Sequence, residues 1–346
     1  MELEDALLEL SANLASKGLP TNLTSSADVE KLVPHIKAAI DSAKLWQYYV
    51  FDVQASAKAV AASLDAGSEK KWQGASVADK SIGELSHVAK DTPDFIQNYK
   101  SYSKRFGTTV DADAAAGFIK AAYPHESSVD LASKWGKVLD VLNVDLYEEC
   151  NDDLKAAQEG VVGRLTFNRI DAHGPKMGEI TKENPIVELY FTRLPANEKT
   201  AKHPKAATAI ANNGWMWAAD PLKNFAEYPS KAYLRRQVIV WGDCVKLRYG
   251  NGPEDNPWLW KQMISYAETL AGVFDGFRLD NCHSTPLHVG KAIIDAGRRV
   301  NPNLYVMAEL FTGSQEMDLK FVRELGINSL VREAYNGDDV KNFSGL

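Results

Sequence analysis

Strand and helix patterns alternate from Phe274 to the end of the chain, and this alternation limits the possible folds more than any other feature. Three apolar runs have the length and composition of strands, namely "DGFRLD", "LYVMAEL" and "INSLVREA". Helical patterns precede or separate them, at Pro257 to Phe274, Pro286 to Val300 and Met317 to Leu325. This order predicts an α/β fold with a parallel sheet. No G-x-G-x-x-G or G-x-x-x-x-G-K-S/T sequence opens these helices, so a barrel is favoured over a nucleotide-binding sheet.

The helix after "DGFRLD" has clear end signals. Thr285 is predicted to cap its N-terminus, Pro286 to occupy its first position, and Asn301-Pro302 to stop it. Arg298 and Arg299 suit the negative C-terminal end of the helix. The buried stripe is predicted at Val289, Ile293, Ala296 and Val300.

The first 160 residues show a helical pattern instead. Apolar residues recur at helical spacing in two stripes, Leu3, Leu7, Leu10 and Leu14, and Trp135, Val138, Leu139 and Leu142. After Gly160 the pattern changes to short apolar runs between Gly, Pro and Asn. The segment "ANNGWMWAADP" that follows predicts a long surface loop.

The composition narrows the classes of partner. The formal net charge of -7 and the pI near 5.6 argue against a phosphate-binding surface, so no nucleic-acid partner is predicted. No apolar run approaches the ~18 residues that a membrane helix requires, so no membrane is predicted either. Cys150, Cys244 and Cys282 are widely separated, which fits a reducing, cytoplasmic setting.

Two carboxylates follow the predicted strands at equivalent points. In a strand, residues two apart share a face, so Arg278 and Asp280 are expected to point away from the covering helices. Asp280 and Glu309 are separated by about one strand-helix-strand unit and lie at C-terminal strand ends, where barrel active sites lie. Neighbouring strands ~4.8 Å apart would bring the two carboxyl groups to about 5 Å, the spacing of a retaining glycoside-cleaving pair. Asp280, beside Arg278, suits the nucleophile, and Glu309 suits the general acid and base.

Other interpretations of these residues remain open at this point. Arg278 and Asp280 could form a buried ion pair that caps the strand. Asp280, His283, His288 and Glu309 could instead ligate a metal, although Pro286 lies between the two histidines, and no metal is predicted. Cys282 is predicted to be a small buried packing residue.

Aromatic and polar residues upstream suggest contacts to sugar. Five of the eight tryptophans lie between Trp215 and Trp260, and such rings can stack on the C–H faces of sugars. Trp241 is a candidate because polar and glycine-rich sequence surrounds it, and Asp243 is a candidate acceptor for a sugar hydroxyl. His283, in the loop before the helix, is a candidate donor to such a hydroxyl.

Longer strings connect these residues to a known family. The strings "GFRLDNCHSTPLH", "NPNLYVMAELFTGS" and "YLRRQVIVWGDCVKLRYGNGPEDNPWLW" resemble the glucanotransferase domain of eukaryotic glycogen debranching enzyme, within the α-amylase superfamily. The resemblance implies 4-α-glucanotransferase activity without a cofactor. A maltooligosaccharide would move from a glycogen branch to another chain end through a covalent glycosyl intermediate. It also implies Asp280 as the nucleophile, Glu309 as the acid/base, and sugar contacts from Arg278, Asn281 and His283.

Two departures from the superfamily's pattern lead to further expectations. An asparagine-histidine motif of the early barrel strands and a third catalytic aspartate of a later strand have no counterpart, so the chain looks like an internal fragment. The expected architecture is a partial (β/α)8 TIM barrel in residues 166–346 with a mainly helical insertion in residues 1–165. The family's amylo-α-1,6-glucosidase domain is also absent, and the chain alone is expected to be catalytically weak or inert and aggregation-prone. The alternative is an inert glycogen-binding or regulatory protein on the same fold; the oligomeric state is not predicted.

Overall fold

The computed structural model describes residues 2–92, 110–216, 219–220, 222–225, 230–331 and 340, without the side chains of residues 205, 206 and 243. Backbone contacts divide the chain into two compact units. The first comprises Met1–Glu188 with Leu234–Arg236, and the second comprises Leu189–Tyr233 with Gln237–Leu346. None of the helices in the described ranges combines the length and the apolar character needed to cross a lipid bilayer.

The first unit is helical, as its apolar periodicity predicts. Both predicted stripes, the one that begins at Leu3 and the one that begins at Trp135, are buried, so these helix predictions are confirmed. Side-chain caps begin several helices; Ser127, for example, accepts a hydrogen bond from the amide of Asp130. The helices are α1 (Glu2–Asn13), α2 (Ser26–Ser42), α3 (Val53–Ala66), α4 (Ile82–Lys90), α5 (Ala112–Ala122) and α6 (Ser128–Arg169), with a 3-10 turn at Leu45–Tyr48.

Helix α6 continues past the point where the sequence pattern changes. The change predicted at Gly160 is wrong as a helix end, since α6 runs on to Arg169. Gly160 serves close packing instead, because a Cβ at this position would lie 2.6 Å from the carbonyl oxygen of Arg235. The boundary predicted between residues 165 and 166 falls inside α6, and the assignment of the two parts as insertion and barrel stays a prediction.

The second unit contains an antiparallel sheet of three strands. They are β1 (Phe191–Arg193), β2 (Ala209–Trp215) and β3 (Ile239–Val245), paired in that order. The surface loop predicted for "ANNGWMWAADP" is therefore wrong for residues 211–215, which belong to β2. A register shift between Asn212 and Gly214 interrupts the alternation on which a strand prediction depends. Pairing with neighbouring strands, rather than local pattern, makes this segment a strand.

The same unit also contains a parallel sheet, which carries the alternation seen in the sequence. Its strands are β4 (Gly276–Leu279), β5 (Tyr305–Glu309) and β6 (Ser329–Val331); α7 (Pro257–Ala271) precedes them, and α8 (Leu287–Val300) and α9 (Gln315–Leu325) connect them. The predicted order of strands and helices is confirmed here. Val306 and Ala308 are buried in a core with Phe321 and Leu325 of α9. The part of the predicted strand "INSLVREA" after Val331 lies outside the described residues.

The start and the buried face of α8 differ from the prediction. Thr285 does not cap α8; its hydroxyl donates to the carbonyl of Asn281, and Pro286 is the residue before the helix. Gly290 and Gly297 lie on the buried face, where side chains of Leu325 and Leu304 occupy the space that a Cβ would need. The predicted stripe is shifted for this reason: the buried residues are Val289, Gly290, Ile294, Ala296 and Gly297, whereas Val300 is exposed.

The chain is a mixed α/β protein, mostly helical with small sheets, which agrees with the predicted class at that level. A barrel is not seen in the part of the chain that the structure describes. Its strands form two separate three-stranded sheets, neither of them closed. A barrel of this type needs about eight tilted strands, and three parallel strands do not provide them.

Candidate active site

The candidate site lies where β4 and β5 end. The two strands pair in parallel with Leu279 opposite Ala308, so the next residues, Asp280 and Glu309, follow at the same level of the sheet. Ala308 is fully buried under the helices, whereas Arg278 and Asp280 are exposed. The predicted alternation of faces is therefore confirmed, and both carboxylates follow neighbouring strands at one edge of the sheet.

Arg278 contacts both carboxylates with one guanidinium group. Its Nη1 donates to Oδ1 of Asp280, and its Nη2 lies 3.8 Å from Oε1 of Glu309. The side chains of Arg278 and Asp280 are 50% and 63% exposed, whereas that of Glu309 is 17% exposed. The alternative of a buried, strand-capping ion pair is wrong for this reason. Exposed pairs contribute roughly 0–1 kcal/mol, so fold stability gives little reason for this arrangement.

Asn281 makes a second connection between the carboxylates. Its φ angle is +50°, in the left-handed region that asparagine tolerates better than most residues. In this conformation its backbone N–H donates to Oε2 of Glu309 at 2.7 Å. Its side-chain Nδ2 lies 3.4 Å from Oδ2 of Asp280. The sequence predicted a role for the side chain of Asn281 but not this backbone contact. The one feature of the sequence that could have indicated the contact is that asparagine tolerates a positive φ angle.

His283 faces the backbone of β5. Its Nδ1 lies 3.2 Å from the carbonyl oxygen of Glu309, and its ring centroid lies 5.6 Å from that of Phe311. Since a carbonyl only accepts, Nδ1 is the donor in this contact. The other ring nitrogen, Nε2, is the one left for a hydroxyl of a substrate, and the predicted contact of His283 to sugar stays a prediction.

Cys282 lies between these residues in sequence but is buried in the core. Burial raises the pKa of its thiol to about 11. Since the thiolate is the reactive form, this cysteine is poorly suited to act as a nucleophile. Its predicted role as a packing residue is confirmed.

The two histidines of the metal interpretation engage different segments of backbone. Nε2 of His288 lies 2.9 Å from the carbonyl oxygen of Gly250, whereas His283 faces the carbonyl of Glu309. Within the described ranges, no group of three or more His, Cys, Asp or Glu side chains is arranged to hold a metal ion.

The upstream candidates lie on the other sheet. Trp241 is partly buried on β3, and no described hydrogen bond, ion pair or ring contact links its side chain to Asp280 or Glu309. Asp243 also belongs to β3, and its side chain lies outside the described residues. The structure thus brings Arg278, Asp280, Asn281, His283 and Glu309 together, and their relation to these two residues stays a prediction.

Comparison with known proteins identifies similar sequences. Residues 1–305 match the family described as glycogen debranching enzyme, glucanotransferase domain. The chain is also 40% identical, over 358 aligned residues, to the protein named glycogen debranching enzyme from Saccharomyces cerevisiae. That match covers 100% of this chain and 22% of the yeast protein, so the chain spans less than a quarter of the length of this curated relative. The family match includes Asp280, and the yeast match extends over Glu309 as well.

Proposed function

The chain belongs to the glycogen debranching enzyme family, in its glucanotransferase domain, and from this premise we propose that the Asp280–Glu309 site is the centre of a 4-α-glucanotransferase. The substrates are maltooligosaccharides or the outer chains of glycogen. The setting is the cytoplasm, in glycogen breakdown. We further propose that the parallel sheet belongs to a partial (β/α)8 barrel in residues 166–346, with residues 1–165 as a mainly helical insertion.

The reaction is a retaining double displacement. A carboxylate oxygen of Asp280 attacks the anomeric carbon of the donor, and the bond to the glycosidic oxygen breaks. Glu309 gives its proton to that oxygen, which leaves as the hydroxyl of the released chain. In the second step Glu309 takes the proton of the acceptor's 4-hydroxyl, whose oxygen attacks the anomeric carbon and releases Asp280.

One observation carries this assignment: the carboxylates of adjacent strand ends are connected through both Arg278 and Asn281. Arg278 places its guanidinium group beside the carboxylate of Asp280, the proposed nucleophile. Glu309 is the more enclosed carboxyl, and the amide of Asn281 fixes its Oε2. A fixed acid is positioned to protonate one oxygen of a bound substrate.

The remaining roles concern substrate binding. Asn281 and His283 border the carboxylates and are proposed to bind sugar hydroxyls, with His283 using Nε2. Trp241 is proposed to stack on a sugar ring, and Asp243 to accept from a hydroxyl.

The test is to incubate the chain with a single maltooligosaccharide and resolve the products by length. Because weak turnover is expected, the assay uses a high protein concentration and a long incubation. Asp280→Asn removes the nucleophile, and Asp275→Asn is the matched control, since Asp275 is an exposed aspartate just before β4.

Both longer and shorter products, lost in Asp280→Asn and kept in Asp275→Asn, are the expected result. Shorter products alone would indicate hydrolysis rather than transfer. Unreduced activity in Asp280→Asn would contradict the role of Asp280. If no form of the chain gives a product at any protein concentration, the proposal that this chain carries out transfer is contradicted.

A further inference from the structure

A groove on the first unit has the features of a sugar-binding surface and lies on elements that the proposed mechanism does not use. It is an open cavity of about 450 Å³ between the 3-10 turn Leu45–Tyr48 and helix α6. Trp46 and Tyr147 line it with their rings 6.5 Å apart between centroids, tilted by 40°. The volume falls within the range of small-ligand sites, about 300–1,000 Å³.

Both aromatic side chains are accessible to a ligand. Trp46 is 42% exposed and Tyr147 is 44% exposed. Each therefore keeps part of its apolar surface in solvent, where a ligand that binds in the groove can cover it.

Two buried anchors hold the chain just after the turn against α6. The side chain of Asn143 accepts from the amide of Phe51 at 2.8 Å and donates to its carbonyl at 3.0 Å. The hydroxyl of Tyr49 donates to Asp153, which is fully buried, at 2.6 Å. These bonds restrict the backbone next to Trp46 in the absence of a ligand. Preorganisation of this kind lowers the entropic cost of binding.

Two polar residues line the groove beside the aromatic pair. Asp41 supplies a carboxylate acceptor and Asn151 an amide that can both donate and accept. Sugar rings offer hydroxyls at the edge and C–H groups on the face, which match polar edges and aromatic faces respectively. Oδ2 of Asp41 also accepts from Nζ of Lys37 at 2.6 Å, so this edge of the groove carries both a cation and an anion.

We propose that this groove binds an α-glucan chain, at a site separate from the Asp280–Glu309 pair. The inference rests on the proposed function, which supplies the glucan, but it adds a second place of contact. One chain of a branched glucan would bind here by stacking on Trp46 and Tyr147.

The test uses the whole chain and maltoheptaose as the probe. Hydrogen exchange locates the binding, and titration calorimetry gives its strength. Saturating maltoheptaose is expected to protect amides in residues 41–51 and 147–154. Trp46→Ala should weaken this binding roughly tenfold or more, the scale expected for removal of a central aromatic anchor. Tyr266→Ala is the matched control, since Tyr266 is an aromatic residue 54% exposed on α7, outside the tryptophan-rich region, and it should leave the affinity unchanged.

A second variant covers the case in which Trp46→Ala folds poorly. Tyr147→Ala alters the opposite wall of the groove on the surface of α6, and it should weaken binding in the same way. Protection confined to residues near Asp280 and Glu309 would overturn this inference and leave the proposed function intact. Equal affinity in wild type and both groove variants would also overturn it. Groove protection without any transfer would support this inference and count against the proposed function.

Discussion

The hydroxyl of Tyr49 is a small group whose removal tests how the first unit is held together. Tyr49→Phe deletes one oxygen and leaves the ring in place, so it creates almost no cavity. The hydroxyl donates at 2.6 Å to Asp153, whose side chain is fully buried, and Arg235 donates to the other oxygen of the same carboxylate. A hydrogen bond to a charged group contributes about 1.5–3 kcal/mol. Because Arg235 still contacts Asp153 in the variant, we expect a loss near the middle of this range, about 2 kcal/mol.

The assay is urea unfolding followed by far-ultraviolet circular dichroism, because the signal of the helical first unit dominates. With a urea m value of about 2 kcal/mol/M, the expected loss lowers the midpoint of unfolding by about 1 M. Tyr266→Phe is the matched control, since Tyr266 is exposed on α7, and its effect should stay within about 0.5 kcal/mol.

A midpoint for Tyr49→Phe that lies as close to wild type as that of Tyr266→Phe would refute the reasoning. It would mean that the Asp153 carboxylate does not need the Tyr49 hydroxyl, and that the turn carrying Trp46 is not held by this bond. A smaller m value without a change in the midpoint would instead indicate that the two units no longer unfold together.

Three further predictions concern single groups. Glu309→Gln should lower the transfer rate by about 10²–10⁴-fold, because glutamine can accept the amide of Asn281 but cannot donate an acidic proton; a rate within tenfold of wild type would contradict the role of Glu309. A backbone hydrogen bond from Thr24 is the main cause that holds the pKa of Asp28 below its ordinary value. The stabilisation that ionised Asp28 contributes is therefore present above about pH 4 and is lost as the pH falls further. The melting temperature should then fall less steeply with acid in Asp28→Asn than in wild type. Identical profiles would argue against a stabilising role of the Asp28 carboxylate. Cys282, with its pKa of about 11, has about one thiolate per thousand molecules at pH 8, so a thiol reagent should modify the partly exposed Cys244 first; equal rates in the folded protein would contradict the burial of Cys282.

Sequence reasoning succeeded where several local signals agree. The helix that ends before Gly326 is an example, since that glycine adopts a φ of +61° just after Leu325, as a helix-terminating glycine does. Period-two alternation likewise placed Arg278 and Asp280 on the opposite face from the partly buried residues of β4 and the buried residues of β5. These features depend on residues close together in the chain, so a single sequence contains the information.

The errors occurred where distant residues decide the structure. Gly160, Gly290 and Gly297 look like helix breakers or gaps in a stripe, yet each provides space for another part of the chain. Strand β2 exists because β1 and β3 pair with it, not because its own sequence alternates. Glycine in these positions makes room for a packing segment elsewhere in the chain. From the local sequence alone it cannot be distinguished from a glycine that ends a helix or forms a turn.

The candidate site shows the same division. Arg278, Asp280 and Glu309 could be placed on one edge from strand spacing alone. The amide of Asn281 that binds Glu309 could not, because the contact requires a specific backbone angle at residue 281. The pairing of Trp46 with Tyr147 was also missed, since these residues meet only when the turn after α2 packs on α6. In sequence, Trp46 and Tyr147 lie far from the tryptophan-rich region between Trp215 and Trp260.

The positive φ angle at Asn281 limits which residues evolution can place at this position, because the same turn positions Asp280 and contacts Glu309. A β-branched residue at this position would favour extended backbone, withdraw the amide from Glu309 and displace the turn next to Asp280 in a single step. Relatives that keep both carboxylates should therefore carry Asn, Asp or Gly at position 281, whereas relatives that have lost one carboxylate are free to vary there. Among relatives, residues other than Asn, Asp or Gly at position 281 should therefore occur together with the loss of a carboxylate.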